Sequence, residues 1–367
     1  MTALFQPLTI RDITLRNRIA VPPMCQYMAE DGVANDWHRA HYGGLGQGGA
    51  GLVIVEATGV SPEGRITPGC LGLWNDAQAE PLAEVARLIA AQGAVAGIQI
   101  GHAGRKASAN LPWQGDDHIP DSDPRGWPTI SPSAVAYGKH LPKVPRDMTL
   151  EDIARVRADF VAAAIRAREA GFKWLELHFA HGYLGQSFWS RHANQRTDAY
   201  GGDARGRGRF LTETLAAVRE VWPEHLPLTA RLGVLEFDGR DDAAMEDSVA
   251  LAQAFKAGGL DLLSVSVGFS TPDAQIPWGT PGFLAPYAAR IRQDSGLLTS
   301  SAWGFDDPAV AERSVADGAL DQVLIGKAHL ANPHWSYYAA TKLGVKGAAN
   351  VLPPAYGHWL QRYRMAG

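Results

Sequence analysis

Eight short apolar runs, each parted from the next by a stretch with helical spacing, leave this chain very few architectures. The runs are Ile19–Val21, Leu52–Val55, Ala96–Ile100, Trp174–Leu177, Leu228–Arg231, Leu262–Val265, Leu297–Ser300 and Gln322–Ile325. Runs of this kind, with little polar alternation, suit strands buried on both faces. Between most of them apolar residues recur at three-and-four spacing: Trp37 onward, Glu80–Gln92, Leu150–Ala170, Arg209–Val221, Ser248–Ala257, Pro286–Gln293 and Pro308–Asp317. Gly93, Gly171, Gly258-Gly259 and Gly318 stand where several of these helices must stop, as left-handed helix ends require. Strands alternating with helices build a parallel sheet covered by helices. Eight such units favour a (β/α)8 TIM barrel over an open doubly wound sheet. A length of 367 residues, 46% hydrophobic, is ample for one large core.

Charge and cysteine content narrow the function. Lys+Arg total 34 and Asp+Glu 38, a net charge of −4, and no basic run could follow a nucleic-acid backbone. Cys25 and Cys70 are the only cysteines, too few for a disulfide framework or a four-thiolate metal site, and they suit a reducing cytoplasm. The amino terminus lacks the pattern of a signal peptide, and no apolar run approaches a membrane span. The expectation is therefore a cytoplasmic protein that contacts neither nucleic acid nor membrane. Residues 1–367 read as a single barrel domain. Residues 102–148, rich in Pro, Asp, Gly and Trp without periodicity, read as a lid inserted after the third strand. The aromatic and basic stretch 353–364 reads as a closing helix or an arm toward a neighbouring subunit.

Gly44-Leu45-Gly46-Gln47-Gly48-Gly49 matches the dinucleotide fingerprint G-x-G-x-x-G, but it ends a helix and leads into a strand. The mechanism of that motif needs the reverse order, so it reads as a helix end packed against the barrel. Chemistry in a (β/α)8 barrel gathers at the carboxyl ends of the strands. Those ends supply Pro23-Met24-Cys25, Glu56-Ala57, Gln99 to His102, His178 to Tyr183, Arg231, Ser266, Trp303-Gly304 and Gly326-Lys327. No carboxylate cluster of metal-ligand type is among them, so no metal is expected. Gln99 can donate and accept while Arg231 only donates, a pair suited to a planar heterocycle that gains negative charge on reduction. Gly304 and Gly326 follow strands seven and eight, where such barrels hold phosphate. Together these groups point to flavin mononucleotide (FMN).

The chain resembles the old yellow enzyme family of FMN-dependent ene-reductases along nearly its whole length, and most closely the bacterial branch that contains xenobiotic reductase A. The resemblance rests on Leu15-Arg16-Asn17-Arg18-Ile19, Pro22 to Tyr27, Gly49 to Leu52 with Glu56-Ala57-Thr58, Gln99 to Lys106, Glu176 to Leu184 and Arg196 to Gly202, taken in order. It implies non-covalent FMN, NADPH or NADH as reductant, and reduction of the C=C bond of enones. Pro23, Met24, Cys25, Ala57, Gln99, Arg231, Gly304, Gly326 and Lys327 fall on flavin-side positions. Tyr27, His178, His181 and Tyr183 fall on substrate-side positions. Trp303 matches an active-site aromatic that serves both sides. Trp359 matches a position that reaches a neighbouring subunit's site, which implies a homodimer or higher homo-oligomer.

Two departures stand out. Lys327 replaces the family's usual arginine in the phosphate loop and keeps the charge without the planar fork. Gly206-Arg207 replaces Asn-Arg after the Tyr200-Gly201-Gly202 turn, which leaves the order of that loop open.

On this reading His178 and His181 bind the substrate carbonyl and polarise the double bond. Tyr183 gives a proton to the α-carbon, and Cys25 tunes the flavin. Hydride passes from NAD(P)H to flavin N5 and on to the β-carbon in a ping-pong cycle. The competing reading is a flavin reductase that acts mainly on nitro compounds or quinones. The residues leave the physiological substrate and the choice between NADPH and NADH open.

Overall fold

A computed structural model describes residues 2–363. Eight parallel strands close into a barrel: β1 (Ile19–Val21), β2 (Leu52–Gly59), β3 (Val95–Gly101), β4 (Trp174–Phe179), β5 (Leu228–Leu235), β6 (Leu262–Val267), β7 (Leu298–Ser301) and β8 (Gln322–Leu324). They follow one another in chain order around the barrel, and β8 closes on β1 through Val323↔Ile19 and Leu324↔Ala20. The helices around it are α1 (Asp36–Gln47), α2 (Asp76–Ala91), α3 (Leu150–Glu169), α4 (Ala204–Val221), α5 (Asp241–Ala257), α6 (Ala285–Ser295), α7 (Pro308–Ala316) and α8 (Trp335–Lys342). A hairpin of Leu8–Ile10 and Ile13–Leu15 packs Leu8, Ile10 and Leu15 against Leu52, Trp174, Leu262 and Leu324. Leu52, Trp174 and Leu262 each begin a strand, so the hairpin plugs the amino-terminal end and leaves the carboxyl end for chemistry. No helix among the described residues is long and apolar enough to cross a membrane.

Local signals explain the helix starts. Asn35, Asn75 and Thr149 cap α1, α2 and α3 with reciprocal capping boxes, each cap worth about 1 kcal/mol. Gly93, Gly171, Gly259 and Gly318 adopt φ of 74° to 89° where helices end; Gly258, in contrast, keeps a right-handed φ of −80°. Apolar runs placed the strands correctly but cut five of them short. Past the ends of the runs, β2, β4 and β6 continue through Glu56, Thr58, His178 and Ser266, polar residues that interrupt the hydrophobic signal, while β3 and β5 run on through Gly101 and Leu232–Leu235. At the other two margins, Leu297 and Ile325 fall just outside β7 and β8.

The glycine-rich segment ends α1, with Gly48 as its C-cap, and leads into β2. A Cβ on Gly46 would stand 3.3 Å from the Ile89 backbone, so this glycine lets α1 approach α2, while Gly48 makes room for the Pro333 carbonyl.

Residues 102–148 hold only two 3-10 turns, Gly104–Lys106 and Pro112–Gln114, and paired two-residue strands Ile130–Ser131 and Arg146–Asp147. Buried Arg105 fastens the excursion by donating to the carbonyls of Val135, Ala136 and Ser270. The carboxyl-terminal stretch forms a helix, Pro354–Leu360; Arg364, the last residue of the expected arm, lies outside the described residues.

The loop that was open in the sequence is ordered. Arg207 is buried and donates to the carbonyls of Trp189 and Gly202 and to Asp247. The Gly206 N–H is capped by Asp203 at 2.8 Å, and a Cβ at Gly206 would collide with the Gly201 carbonyl oxygen. Backbone cannot yield as a side chain tip can. Gly206→Ala is therefore expected to destabilise the fold by roughly 1–3 kcal/mol, measured by urea unfolding; an unchanged midpoint would contradict this packing.

Candidate active site

Three strands bring the polar core of the site together. Register sets Gln99 of β3 opposite Glu176 of β4, and His178 of β4 opposite Arg231 of β5. Gln99 Nε2 donates to Glu176 Oε1 at 2.7 Å. Arg231, 5% exposed, donates from Nε to Ser264 Oγ on β6 at 3.1 Å. Its Nη2 is buried without a partner. An unmet donor on a charged group costs several kcal/mol in a folded interior, so this atom calls for an acceptor from a ligand.

Above this core the chain turns sharply after β4. His181 and Gly182 have φ of 63° and 71°, and the turn sets three rings together. The His178 ring lies 5.0 Å from His181 and 5.0 Å from Tyr183, edge to face in both cases. His178 Nδ1 accepts the Ala180 N–H at 3.3 Å, which leaves the proton of a neutral ring on Nε2. His181 Nε2 and Ser266 Oγ share a hydrogen bond of 2.8 Å. Burial pushes the His178 pKa down to about 3, and burial with the neighbouring His178 carries His181 well below its usual value. Both rings are neutral donors at pH 7. Burial drives the Tyr183 phenol well above 10, so it keeps its proton.

Two anchors here escaped the sequence reading. Lys106, from the excursion, donates to the His181 and Phe269 carbonyls at 2.9 and 2.8 Å and braces the turn that carries His181. Burial lowers its pKa to about 7. Trp278 stacks on Phe269 and meets Trp303 edge to face at 5.2 Å. With His181 5.6 Å from Phe269 and 6.5 Å from Trp303, an aromatic wall continues from the histidine pair. Lys106 lies inside a motif noted for resemblance alone. Trp278 sits in an aperiodic loop, and nothing in sequence ties it to His181.

The remaining expected residues divide. Cys25 and Tyr27 follow β1, Tyr27 with φ of 55°. Burial, then Cys70 and Glu56 nearby, raises the Cys25 thiol well above its normal value, so it is no ready nucleophile. Glu56 fastens this segment by accepting the Gln26 N–H at 2.7 Å and the Tyr42 hydroxyl at 3.0 Å. Ala57 shares a small crevice with His178 and Tyr183. Met24 faces Gly326, where a Cβ would stand 3.4 Å from Met24 Sδ; Pro23, partly buried, precedes it. Gly304, φ 75°, leaves 2.6 Å between a would-be Cβ and the Gly282 nitrogen, so the loop after β7 tolerates no side chain there. Lys327 is exposed at the start of a short helix after β8. Trp359 is not brought to this cluster: it is 77% exposed, and its recorded ring neighbour is His358.

A separate crevice of about 520 Å³ is lined by Arg191, His192, Arg207, Asp238, Arg240 and Asp247. Its charges are paired with one another, and it shares no residue with the cluster above. Among the described residues no three His, Cys, Asp or Glu side chains stand together as a metal site.

Comparison with known proteins identifies a family for the chain. The model of the NADH:flavin oxidoreductase / NADH oxidase family matches residues 3–344. An NADPH dehydrogenase of Geobacillus thermodenitrificans is 39% identical over 352 residues, covering 95% of this chain and 97% of the relative. Among solved structures, morphinone reductase superposes with a TM-score of 0.78 at 26% identity, over 97% of this chain and 93% of that one. A 2-naphthoyl-CoA reductase superposes with a TM-score of 0.82 at 25% identity, over 95% of this chain and 53% of the longer neighbour. The donor set fits FMN: the unpartnered Arg231 Nη2 is a buried cationic donor that an acceptor of a flavin could meet, and the Glu176 strand lies between Arg231 and Gln99.

The buried histidines make the fold sensitive to acid. Burial lowers His38, His41, His102, His118 and His329 to about 4, and His178 to about 3. Each binds fewer protons folded than unfolded, so stability is lost as pH falls below 6.5. Glu56, raised by burial to about 7, acts in the opposite sense, its contribution present in acid and lost as pH rises through 7. Glu176, Glu236, Asp159 and Asp241 are also raised by burial and act with Glu56, while His181 and His334 are lowered as well, so the lowered imidazoles outnumber the raised carboxyls. The urea midpoint is expected to fall between pH 7 and pH 5, and a flat or rising midpoint would count against neutral buried imidazoles.

Proposed function

The chain belongs to the NADH:flavin oxidoreductase / NADH oxidase family, that of the old yellow enzymes, and from that premise we infer that this FMN-dependent NAD(P)H dehydrogenase reduces the C=C bond of α,β-unsaturated carbonyl compounds. The observation that carries the reading is the cluster of His178, His181 and Tyr183, two neutral imidazoles and a protonated phenol held ring to ring at 5.0 Å. FMN, when bound, supplies the two-electron store that accepts hydride from NAD(P)H and delivers it to the acceptor.

The chain's own groups divide the remaining work. Gln99 and Arg231 would hold the flavin ring, Pro23, Met24, Cys25, Ala57, Trp303 and Gly304 would line it, and Gly326 with Lys327 would meet its phosphate. Exposed Lys327 supplies the positive charge there but not a two-pronged contact. Reduction of an enone at its β-carbon sends negative charge to the carbonyl oxygen. His178 Nε2–H donates to that oxygen, and His181 joins it once its bond to Ser266 rearranges; such a donor is worth about 3 kcal/mol of transition-state stabilisation. Neutral rings suit this role, since they bind without the desolvation cost of a buried charge. Tyr183 gives its proton to the α-carbon. The Cys25 thiol, kept protonated, tunes the flavin instead of attacking the substrate. Tyr27 and Trp303 wall the substrate space.

One site serves NAD(P)H and acceptor in turn, which accounts for a chain whose strands are spent on a single barrel. The excursion over residues 102–148 acts as the lid of that site. Trp359, exposed on the terminal helix, completes the site of a second copy in a homodimer.

Tyr183→Phe separates the two half-reactions. Stopped-flow reduction of the bound flavin by NADPH is expected to stay within about threefold of wild type. Reoxidation by 2-cyclohexenone is expected to slow by about a hundredfold or more, the scale of general acid catalysis. Equal loss in both half-reactions would contradict the assignment, and faster turnover with a quinone or nitroester than with any enone would contradict the substrate class.

A further inference from the structure

The geometry points to Glu176 as a positioning residue that fixes which face of the Gln99 amide meets FMN and offsets the charge that Arg231 presents to it. This rests on the reading that Gln99 and Arg231 hold the flavin ring. Glu176 is 1% exposed inside the barrel, in register with Gln99 and two residues before His178. Nothing in the cycle described above uses it.

Two consequences follow from its chemistry. An ionised carboxylate only accepts hydrogen bonds. With Gln99 Nε2 donating to Glu176 Oε1 at 2.7 Å, a flipped amide would set oxygen against oxygen. The carboxylate therefore locks the amide, and the Gln99 carbonyl oxygen is left to accept from a ligand N–H. The second consequence is electrostatic. Burial raises the Glu176 carboxyl and lowers the Arg231 guanidinium, and each charge opposes the other's shift. Stability alone is a poor reason for such a pair, because apolar residues of the same volume often serve a core equally well. The two groups stand diagonally on neighbouring strands, Glu176 opposite Thr229 and Arg231 opposite His178, so the carboxylate offsets the guanidinium charge through space without a direct ion pair. The reduced cofactor carries more negative charge than the oxidised one, so that cancellation holds down the midpoint potential of bound FMN.

Glu176→Gln and Glu176→Asp pull the two roles apart. The glutamine keeps volume and an acceptor oxygen for Gln99 but removes the charge. The aspartate keeps the charge but withdraws it by one methylene from Gln99. In anaerobic dye-equilibration titrations the midpoint potential of E176Q is expected to lie above wild type, with E176D shifted less. FMN binding, followed by quenching of flavin fluorescence, is expected to weaken roughly tenfold in E176D, the scale of one charge-assisted hydrogen bond. A merely structural residue would alter folding without moving the potential of the flavin that remains bound. An E176Q potential equal to wild type would overturn the electrostatic role, and unchanged FMN affinity in E176D would overturn the positioning role. If E176Q does not fold, the affinity and potential of E176D decide the question by the same criteria. A wild-type protein that takes up no FMN would instead sink the underlying reading, so the two failures are distinguishable.

Discussion

A buried guanidinium with one unmet donor organises this molecule. Arg231 can sit inside a closed barrel only because Ser264 accepts from its Nε and Glu176 lies within electrostatic reach. Even so, Nη2 finds no acceptor among the described residues. A protein of ordinary stability has about 5–15 kcal/mol to spare, and an unpaired charged donor uses a real fraction of it. Strands β4, β5 and β6, with Ser264 on β6, hold that donor in place.

The same low-dielectric interior that makes Arg231 costly makes its neighbours useful. Burial strips His178 and His181 of charge and holds the proton on Tyr183. Three groups that titrate differently in water thus converge on one state, neutral and ready to donate. Lys106 and Ser266 fix the turn and one ring by hydrogen bonds, and Trp303, Trp278 and Phe269 pack ring to ring beside them. Positioning and reactivity have one physical origin here: desolvation by a barrel that the hairpin closes below.

Much of this was legible in the chain. Eight apolar runs and their capping glycines sufficed for the barrel, and reading the residues at the ends of those runs found Gln99, His178, His181, Tyr183 and Arg231. Polar Glu56, Thr58, His178 and Ser266, just past those runs, hid the true ends of three strands, because hydrophobic periodicity fades where polar residues begin. Side-chain pairing between distant strands left no trace in the sequence. Gln99–Glu176, His181–Ser266 and Lys106 with the His181 carbonyl join residues 77, 85 and 75 positions apart. Trp278 lacked any periodic context. Gly206 was legible only as a departure, and its reason, a backbone carbonyl in van der Waals contact, is purely three-dimensional.

The most direct test of the account is the position of Arg231 Nη2 in a crystal structure of the FMN-loaded protein. The account predicts that this atom, without a partner here, lies within hydrogen-bonding distance of an acceptor on the flavin ring, while Gln99 still donates to Glu176. A flavin seated elsewhere, or an Nη2 satisfied by a protein group or by water instead of the ring, would contradict it.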